Sequence, residues 1–124
     1  MDKSRQAELK REYKEAKRPA GVYQIKNEKN GRIFIGSSMN VNARINRHKQ
    51  SFALLDRLSD NFEIPDLVAD VKTYGPENFT FEVLETLDGD YDTDDALRED
   101  LKLLEQMWLE KCNPFGDNGY NVPN

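Results

Sequence analysis

Residues 21–48 read GVYQIKNEKNGRIFIGSSMNVNARINRH, and this stretch decides the fold. Residues 21–26 and 32–36 are rich in β-branched and aromatic side chains, which favour strands. The segment between them ends in an Asn-Gly pair, which is typical of a tight turn between antiparallel strands. The stretch therefore predicts a β-hairpin followed by a helix.

The predicted helix, residues 40–52, carries an apolar stripe with a basic group beside it. Its N-terminus can be capped by any of three side chains: Ser37, Ser38 or Asn40. Arg44 and His48 lie four residues apart, so they share one face of the helix. Arg47 and Lys49 add positive charge next to them. A basic face of this kind favours binding of a phosphate or of a nucleic-acid backbone.

Charge is distributed unevenly along the chain. The net charge of −5 argues against a nucleic-acid binder when the chain is taken as a whole. Residues 1–50, however, hold 13 Lys/Arg and 5 Asp/Glu, a net charge of +8, whereas residues 51–124 hold 5 and 18, a net charge of −13. The basic half could attract a phosphate backbone, and its candidate contacts are Lys26, Arg47 and Lys49. The alternative is that the two halves fold together and neutralise each other.

The chain divides into an N-terminal segment and one domain. Residues 1–18 have the composition of a charged helix or arm, which Pro19 should end. Residues 19–124 have the size of a single domain. No run approaches the ~20 apolar residues of a membrane span, and no secretory signal is predicted. The single Cys112 cannot form an internal disulfide, so a reducing, cytoplasmic location is expected.

The remaining patterns predict two helices and a third strand. Pro65 suits the first turn of a helix that Gly75 ends. Phe79, Phe81 and Val83 alternate with polar residues, which predicts a strand with one buried face. Residues 95–112 form the most regular helical pattern, with an apolar stripe at Leu97, Leu101, Leu104 and Trp108 and an N-cap at Asp92 or Thr93.

Glu105 lies at the border of that apolar stripe. A partly desolvated carboxylate suits a metal ligand or an acid/base group. The alternative is a rim carboxylate that pairs with Lys102 or Lys111.

The acidic loop at residues 88–95 partly matches a calcium-loop template. Its carboxylates occupy positions 1, 3, 5, 7 and 12 of that template: Asp88, Asp90, Asp92, Asp94 and Glu99. The glycine required at position 6 is Thr93, and the preceding segment reads as a strand instead of a helix. A solvated loop before a helix therefore accounts better for the segment.

Several of these motifs resemble the GIY-YIG nuclease family. Gly21-Val22-Tyr23 is followed by Phe34-Ile35-Gly36 and then by Arg44 on the next helix. The match continues with three later blocks: Tyr74-Gly75, Glu105-x-x-Trp108 and Gly119-Tyr120-Asn121. This resemblance covers roughly residues 20–122. It implies an α/β (α+β) fold in which helices flank a three-stranded antiparallel sheet.

The resemblance also implies a divalent-metal-dependent endonuclease acting on double-stranded or branched DNA. Tyr23 then corresponds to the tyrosine that contacts and helps to activate the attacking water. Arg44 corresponds to the arginine that contacts the scissile phosphate, and His48 to an assisting residue. Glu105 corresponds to the ligand of Mg²⁺ or Mn²⁺. Since no room for a fused targeting domain is expected, an active enzyme would be weakly specific, guided by a targeting partner protein, or a homodimer.

The resemblance also implies roles for four further positions. Asn121 matches the asparagine that ties the C-terminal loop to the site. Gly21 and Gly36 match the motif glycines, which allow close backbone approach near the substrate. Phe34 stands where the family has its second tyrosine, so the ring is kept and a hydroxyl is lost. A rival hypothesis follows from Phe34: a catalytically weak or inactive module that binds nucleic acid or a protein partner.

Overall fold

The computed structural model describes residues 19–54, 64–87 and 91–122, which form a three-stranded antiparallel sheet with helices on both faces. The strands are β1 (Gly21–Asn27), β2 (Ile33–Ser38) and β3 (Phe79–Thr86), in the order β2-β1-β3. The helices are α1 (Val41–Ala53), α2 (Pro65–Tyr74) and α3 (Asp94–Cys112), with short 3-10 helices at Pro76–Asn78 and Gly116–Asn118. The predicted fold class is confirmed.

Some predictions lie outside the described residues. They concern the N-terminal helix or arm at residues 1–18 and the start of the acidic loop at 88–90. None of the helices in the described ranges combines the length and the apolar character needed to cross a membrane.

The hairpin between β1 and β2 forms as the sequence predicts. The amide of Asn27 donates to the carbonyl of Arg32 at 2.9 Å, and the amide of Gly31 donates back to Asn27 at 2.8 Å. Gly31 has a φ of +79°, which glycine adopts without steric cost. The second strand begins one residue later than predicted and continues to Ser38, because Gly21 still has a pairing partner there.

The two faces of the sheet bury different residues. Odd-numbered positions of β1, such as Tyr23 and Ile25, face α1 and α2, and even-numbered Val22 faces α3. This follows from the two-residue period of a strand. The α1/α2 side is filled by Ile45, Phe52, Leu67 and Val71, and the α3 side by Ile35, Leu101 and Leu104. Both faces of β1 are therefore covered.

The prediction that Val83 belongs to the buried face of β3 is wrong. Phe79 is 6% exposed, but Val83 is 37% exposed. The pairing of β3 with β1 shifts register between Val22 and Tyr23, so the simple alternation stops there. Leu84 instead packs against the cluster on the α3 side.

Both long helices begin at side-chain caps. The Asn40 side chain accepts a hydrogen bond from the amide of Ala43 at 3.2 Å, which selects one of the three predicted caps of α1. Thr93 accepts from Ala96 at 3.1 Å and starts α3 at Asp94. Positions 7 to 12 of the calcium template are therefore helical, so the described part of the segment does not have the conformation of that loop.

Candidate active site

The site is built where the Tyr23 ring crosses the edge strand β2 at Gly36. The two residues are cross-strand partners in the β1–β2 pair, so they face the same side of the sheet. A Cβ at position 36 would lie 2.5 Å from the Tyr23 hydroxyl oxygen and 2.6 Å from Cζ. Glycine at position 36 therefore leaves the space that the phenol occupies.

The phenol of Tyr23 meets the imidazole of His48, which α1 turns inward. The hydroxyl oxygen lies 2.9 Å from Nε2, and the ring centroids are 5.4 Å apart. His48 is 8% exposed. Burial, together with the positive charges of Arg44 and Arg47, lowers the pKa of His48 to about 4. The imidazole is thus neutral at pH 7, and Nε2 can accept a hydrogen bond from the phenol in the appropriate tautomer.

The pKa of the Tyr23 phenol also depends on the two charged residues expected at the site, Arg44 and Glu105. Burial raises the pKa of its phenol to about 12. Arg44 opposes this rise through its charge and a hydrogen bond, and the negative charge of Glu105 reinforces it. The phenol therefore keeps its proton near neutral pH. The structure brings a phenol, an imidazole, a guanidinium and a carboxylate into one electrostatic neighbourhood.

The basic residues of α1 are exposed, as expected for groups that contact a ligand. Arg44 lies in the first turn of α1, and Arg47 follows on the outer surface. Lys49 extends over an aromatic ring of β3, with Nζ 5.6 Å from its centroid. The ion pairs between described residues involve Arg32 and Arg98. No described carboxylate therefore pairs with the two arginines of α1.

Lys26 does not join this group. It shares the even-numbered face of β1 with Val22, toward α3, and it is half-buried. Elsewhere the two halves of the charge distribution do meet. Arg32 lies 3.7 Å from Asp66 and 3.5 Å from Asp70. Among the residues that the structure describes, ion pairing between the two halves is thus local to Arg32 and does not include the basic residues of α1.

Glu105 is half-buried on α3, at the border of the apolar stripe. The hydroxyl of Ser37 donates a hydrogen bond to its Oε2. Lys111, one of the proposed rim partners, instead lies over the Trp108 ring at 4.7 Å. The sequence suggested Ser37 only as a helix cap. The hairpin register was the signal that could have placed it. Ser37 follows Gly36 and pairs with Val22, so its side chain lies on the sheet face that is covered by α3.

Asn121 ties the C-terminal loop to β2 through both ends of its side-chain amide. The amide of Ile35 donates to Oδ1 at 2.9 Å, and Nδ2 donates to the carbonyl of Ile35 at 2.8 Å. The side chain therefore replaces the neighbouring strand that an edge strand would otherwise need. The residue before it, Tyr120, continues the contact by donating its amide to Ile33 at 2.8 Å. This fastening lies next to Gly36.

Tyr120 anchors the same loop to β1 and α2 through its hydroxyl, a role that sequence reasoning missed. Its hydroxyl donates to Asp70 at 2.7 Å and accepts from the Asn27 amide at 3.1 Å. The Arg32 guanidinium carbon lies 4.4 Å from the ring centroid. Burial and the bond to Asp70 raise the pKa of Tyr120 to about 12. The partners come from the β1–β2 hairpin and from α2, both distant from Tyr120 in sequence, so no local pattern indicates them.

Phe34 and Gly21, the other two motif positions, each make a close contact with a neighbouring strand. The Phe34 ring centroid lies 6.2 Å from that of Tyr23, so the ring occupies its expected place without a hydroxyl. A Cβ on Gly21 would lie 2.5 Å from the carbonyl oxygen of Glu85. Gly21 therefore permits the close approach of β3 at the register shift.

Comparisons with known proteins agree with this geometry. The family model described as the GIY-YIG catalytic domain matches residues 19–121. A solved structure of the catalytic domain of the homing endonuclease I-TevI is 24% identical, covers 85% of this chain and 99% of its own, and has a TM-score of 0.59. A mutant of that domain, described as from an intron endonuclease, is 23% identical at the same TM-score, covering 85% and 94%. The search of curated proteins found no match.

Proposed function

Because this chain belongs to the GIY-YIG family, we propose that it is a DNA endonuclease that hydrolyses a phosphodiester at the site formed by Tyr23, Arg44 and Glu105. Family membership supports a nuclease-type function. The observation that carries the finer proposal is the hydrogen bond of 2.9 Å between Tyr23 and a neutral His48, with Arg44 and Glu105 in electrostatic contact with the same phenol.

In this proposal Tyr23 orients the attacking water and relays its proton. The phenol takes a proton from the water while its own proton moves to Nε2 of His48. Since the pKa of Tyr23 is raised to about 12, the transfer is concerted and does not start from a phenolate. A bound phosphate would offset the positive charges of Arg44 and Arg47 that disfavour protonated His48. Substrate binding thus favours the relay.

Arg44 is the group that holds the phosphate. A guanidinium presents donors in a planar fork that matches two phosphate oxygens. Its exposure at the start of α1 leaves that fork open to a ligand. Stabilising the charge that develops on the phosphoryl oxygens is the largest contribution expected of such a residue.

Glu105 fits the divalent metal that the family implies. One oxygen accepts from Ser37, and within the described residues no hydrogen bond or ion pair occupies the other. The described residues hold no cluster of three or more His, Cys, Asp or Glu that could bind a metal. This donor set suits Mg²⁺ or Mn²⁺, since Mg²⁺ often takes one or two carboxylates and fills its other positions with water and phosphate. When bound, the metal would supply Lewis acidity at the phosphoryl oxygens.

A second function, a non-catalytic binding module, is favoured by one observation. Phe34 keeps its ring beside Tyr23 but carries no hydroxyl. Losing one hydrogen-bond donor next to a reacting group can lower the rate by about 10²-fold or more. In such a module, Arg44 and Arg47 would still bind a phosphate backbone.

The experiment that separates the two functions is nicking of supercoiled plasmid at low salt with Mg²⁺ or Mn²⁺. We expect the wild type to nick and both Glu105→Ala and Arg44→Ala to lose that activity. Glu110→Ala and Arg98→Ala are the matched controls, since both residues are exposed on α3 and neither is among the groups that shift the pKa of Tyr23. No nicking by the wild type, with salt-sensitive DNA binding retained, would support the binding module instead.

A further inference from the structure

We infer that Ser37 is a positioning residue for the metal-binding carboxylate of Glu105, a role that rests on the proposed nuclease function. Its hydroxyl donates to Oε2 of Glu105 across 68 residues of sequence. This is the one hydrogen bond between described residues that joins β2 to the Glu105 side chain. The bond joins β2, whose Gly36 lies against the Tyr23 phenol, to the helix that carries Glu105.

The strand register explains why Ser37 can do this. Gly36 lies opposite Tyr23 and leaves its space to the phenol, whereas Ser37 lies opposite Val22, which faces α3. Because successive residues of a strand face opposite sides of the sheet, Gly36 and Ser37 contact different parts of the site. Gly36 admits the phenol on one side, and Ser37 reaches the carboxylate on the other.

Both elements that carry the Ser37–Glu105 bond are held in place by their neighbours, so the bond can fix the orientation of the carboxylate. Leu101 and Leu104 are each 6% exposed and hold this turn of α3 against the sheet. The backbone of Ile35, two residues before Ser37, is bound on both its amide and its carbonyl by Asn121. The donor, Ser37, therefore lies on a strand that Asn121 holds in place, and the acceptor, Glu105, lies on a helix that is packed against the sheet.

Because Ser37 donates to Oε2, Oε1 is the oxygen that would be available to hold a divalent metal. The bond also restricts the rotation of a long side chain that would otherwise sample several rotamers. Hydrogen-bond partners of metal ligands have this effect in known sites, and their removal typically weakens metal affinity or activity by about 10–100-fold. The same hydroxyl–carboxylate contact between Thr80 and Glu28, 2.8 Å long on the exposed surface, lies away from Tyr23.

The test is direct binding of Mn²⁺, measured by the loss of the free-ion signal in electron paramagnetic resonance, without DNA. We expect Ser37→Ala to weaken Mn²⁺ binding by about tenfold or more. Ser37→Thr keeps the hydroxyl and should restore affinity, and the control Thr80→Val should match the wild type. Plasmid nicking should need correspondingly more Mn²⁺ in Ser37→Ala.

The outcomes distinguish the role of Ser37 from the proposed function. Equal Mn²⁺ affinity in the wild type and Ser37→Ala, with nicking intact in both, would overturn the positioning role and leave the nuclease standing. Lower thermal stability of Ser37→Ala with unchanged Mn²⁺ affinity would also overturn it, since the bond would then only brace α3 against β2. No Mn²⁺ binding and no nicking by the wild type would refute the metal site on which both proposals rest.

Discussion

The Tyr23 ring lies across the backbone of Gly36, in space that any side chain at position 36 would enter. A Cβ there would approach the hydroxyl oxygen to 2.5 Å, well inside van der Waals contact. The same hydroxyl lies 2.9 Å from Nε2 of His48. The glycine therefore leaves the phenol its position, and that position sets the hydrogen bond to His48 on which the proposed proton relay depends.

Gly36→Ala should separate this local requirement from general stability. The buried Tyr23 ring must move, which breaks its bond to His48, so nicking should fall by about 10²-fold or more. Overpacking should also lower the free energy of unfolding by about 1–3 kcal/mol. Plasmid nicking and urea denaturation measure the two effects.

The control for that variant is Gly31→Ala, at the hairpin turn. Nothing lies within 4 Å of the added Cβ, but φ is +79°, so only backbone strain is expected. That strain costs roughly 1 kcal/mol of stability and should leave the nicking rate unchanged. Wild-type nicking by Gly36→Ala would show that the position of the phenol does not matter.

His48 should make the protein less stable in mild acid. Its folded pKa of about 4 lies below the unfolded value of 6.5, because burial and two arginines disfavour the charged ring. Between these values the unfolded chain binds more protons, so the free energy of unfolding rises with pH. The contribution is complete above pH 6.5 and is lost as pH falls toward 4, at roughly 1–2 kcal/mol after solvent screening.

Urea denaturation at pH 4.5, 5.5, 6.5 and 7.5 measures this slope. Carboxylates also titrate in the range, so the relevant quantity is the difference between the wild type and His48→Gln. The variant should show a shallower rise of stability with pH. Parallel curves for the two proteins would mean that His48 titrates alike in the folded and unfolded states.

Local sequence patterns were sufficient for most of the fold. The alternation in β1 and the 3.6-residue period in α3 each depend on neighbouring residues, and both elements form where they were predicted. Val83 was misplaced because the alternation gave no sign of the register shift opposite Val22 and Tyr23. A shift of that kind depends on the pairing of two strands more than 50 residues apart.

The site was less accessible to sequence reasoning. The catalytic roles of Tyr23, Arg44 and Glu105 came from the family resemblance. The residues by themselves indicated only a basic face at Arg44 and, at Glu105, either a partly desolvated carboxylate or a rim carboxylate. The bond from Ser37 to Glu105 spans 68 residues, and the bond from Tyr120 to Asp70 spans 50. Contacts at such separations depend on tertiary packing, which periodicity does not encode.

Asn121→Asp should loosen the C-terminal loop. The carboxylate can still accept from the Ile35 amide, but it can no longer donate to the Ile35 carbonyl. An unsatisfied carbonyl facing a carboxylate should cost about 1–3 kcal/mol locally. Hydrogen exchange should speed up at the amides of Ile35 and Tyr120. Asn118→Asp, at an exposed site, is the control, and equal protection in both variants would contradict a fastening role for Asn121.

Phe34→Tyr should raise the nicking rate. The new hydroxyl would extend from a ring whose centroid lies 6.2 Å from that of Tyr23 and would restore a donor beside the reacting groups. An increase of about tenfold or more is expected from one such donor. Phe81→Tyr, also on a partly buried ring of the same sheet face, is the control and should change nothing. Intact DNA binding without nicking in Phe34→Tyr would favour the binding module.

The central claim is that the phenol of Tyr23 takes part in phosphodiester hydrolysis, and Tyr23→Phe tests it most directly. The variant keeps the buried ring and removes only the hydroxyl that bonds to His48. Single-turnover cleavage at saturating protein, with DNA affinity measured in parallel, should show a rate about 10²-fold or more below wild type at unchanged affinity. Tyr74→Phe, on the exposed end of α2, should cleave like the wild type. Equal rates for Tyr23→Phe and the wild type would contradict the account.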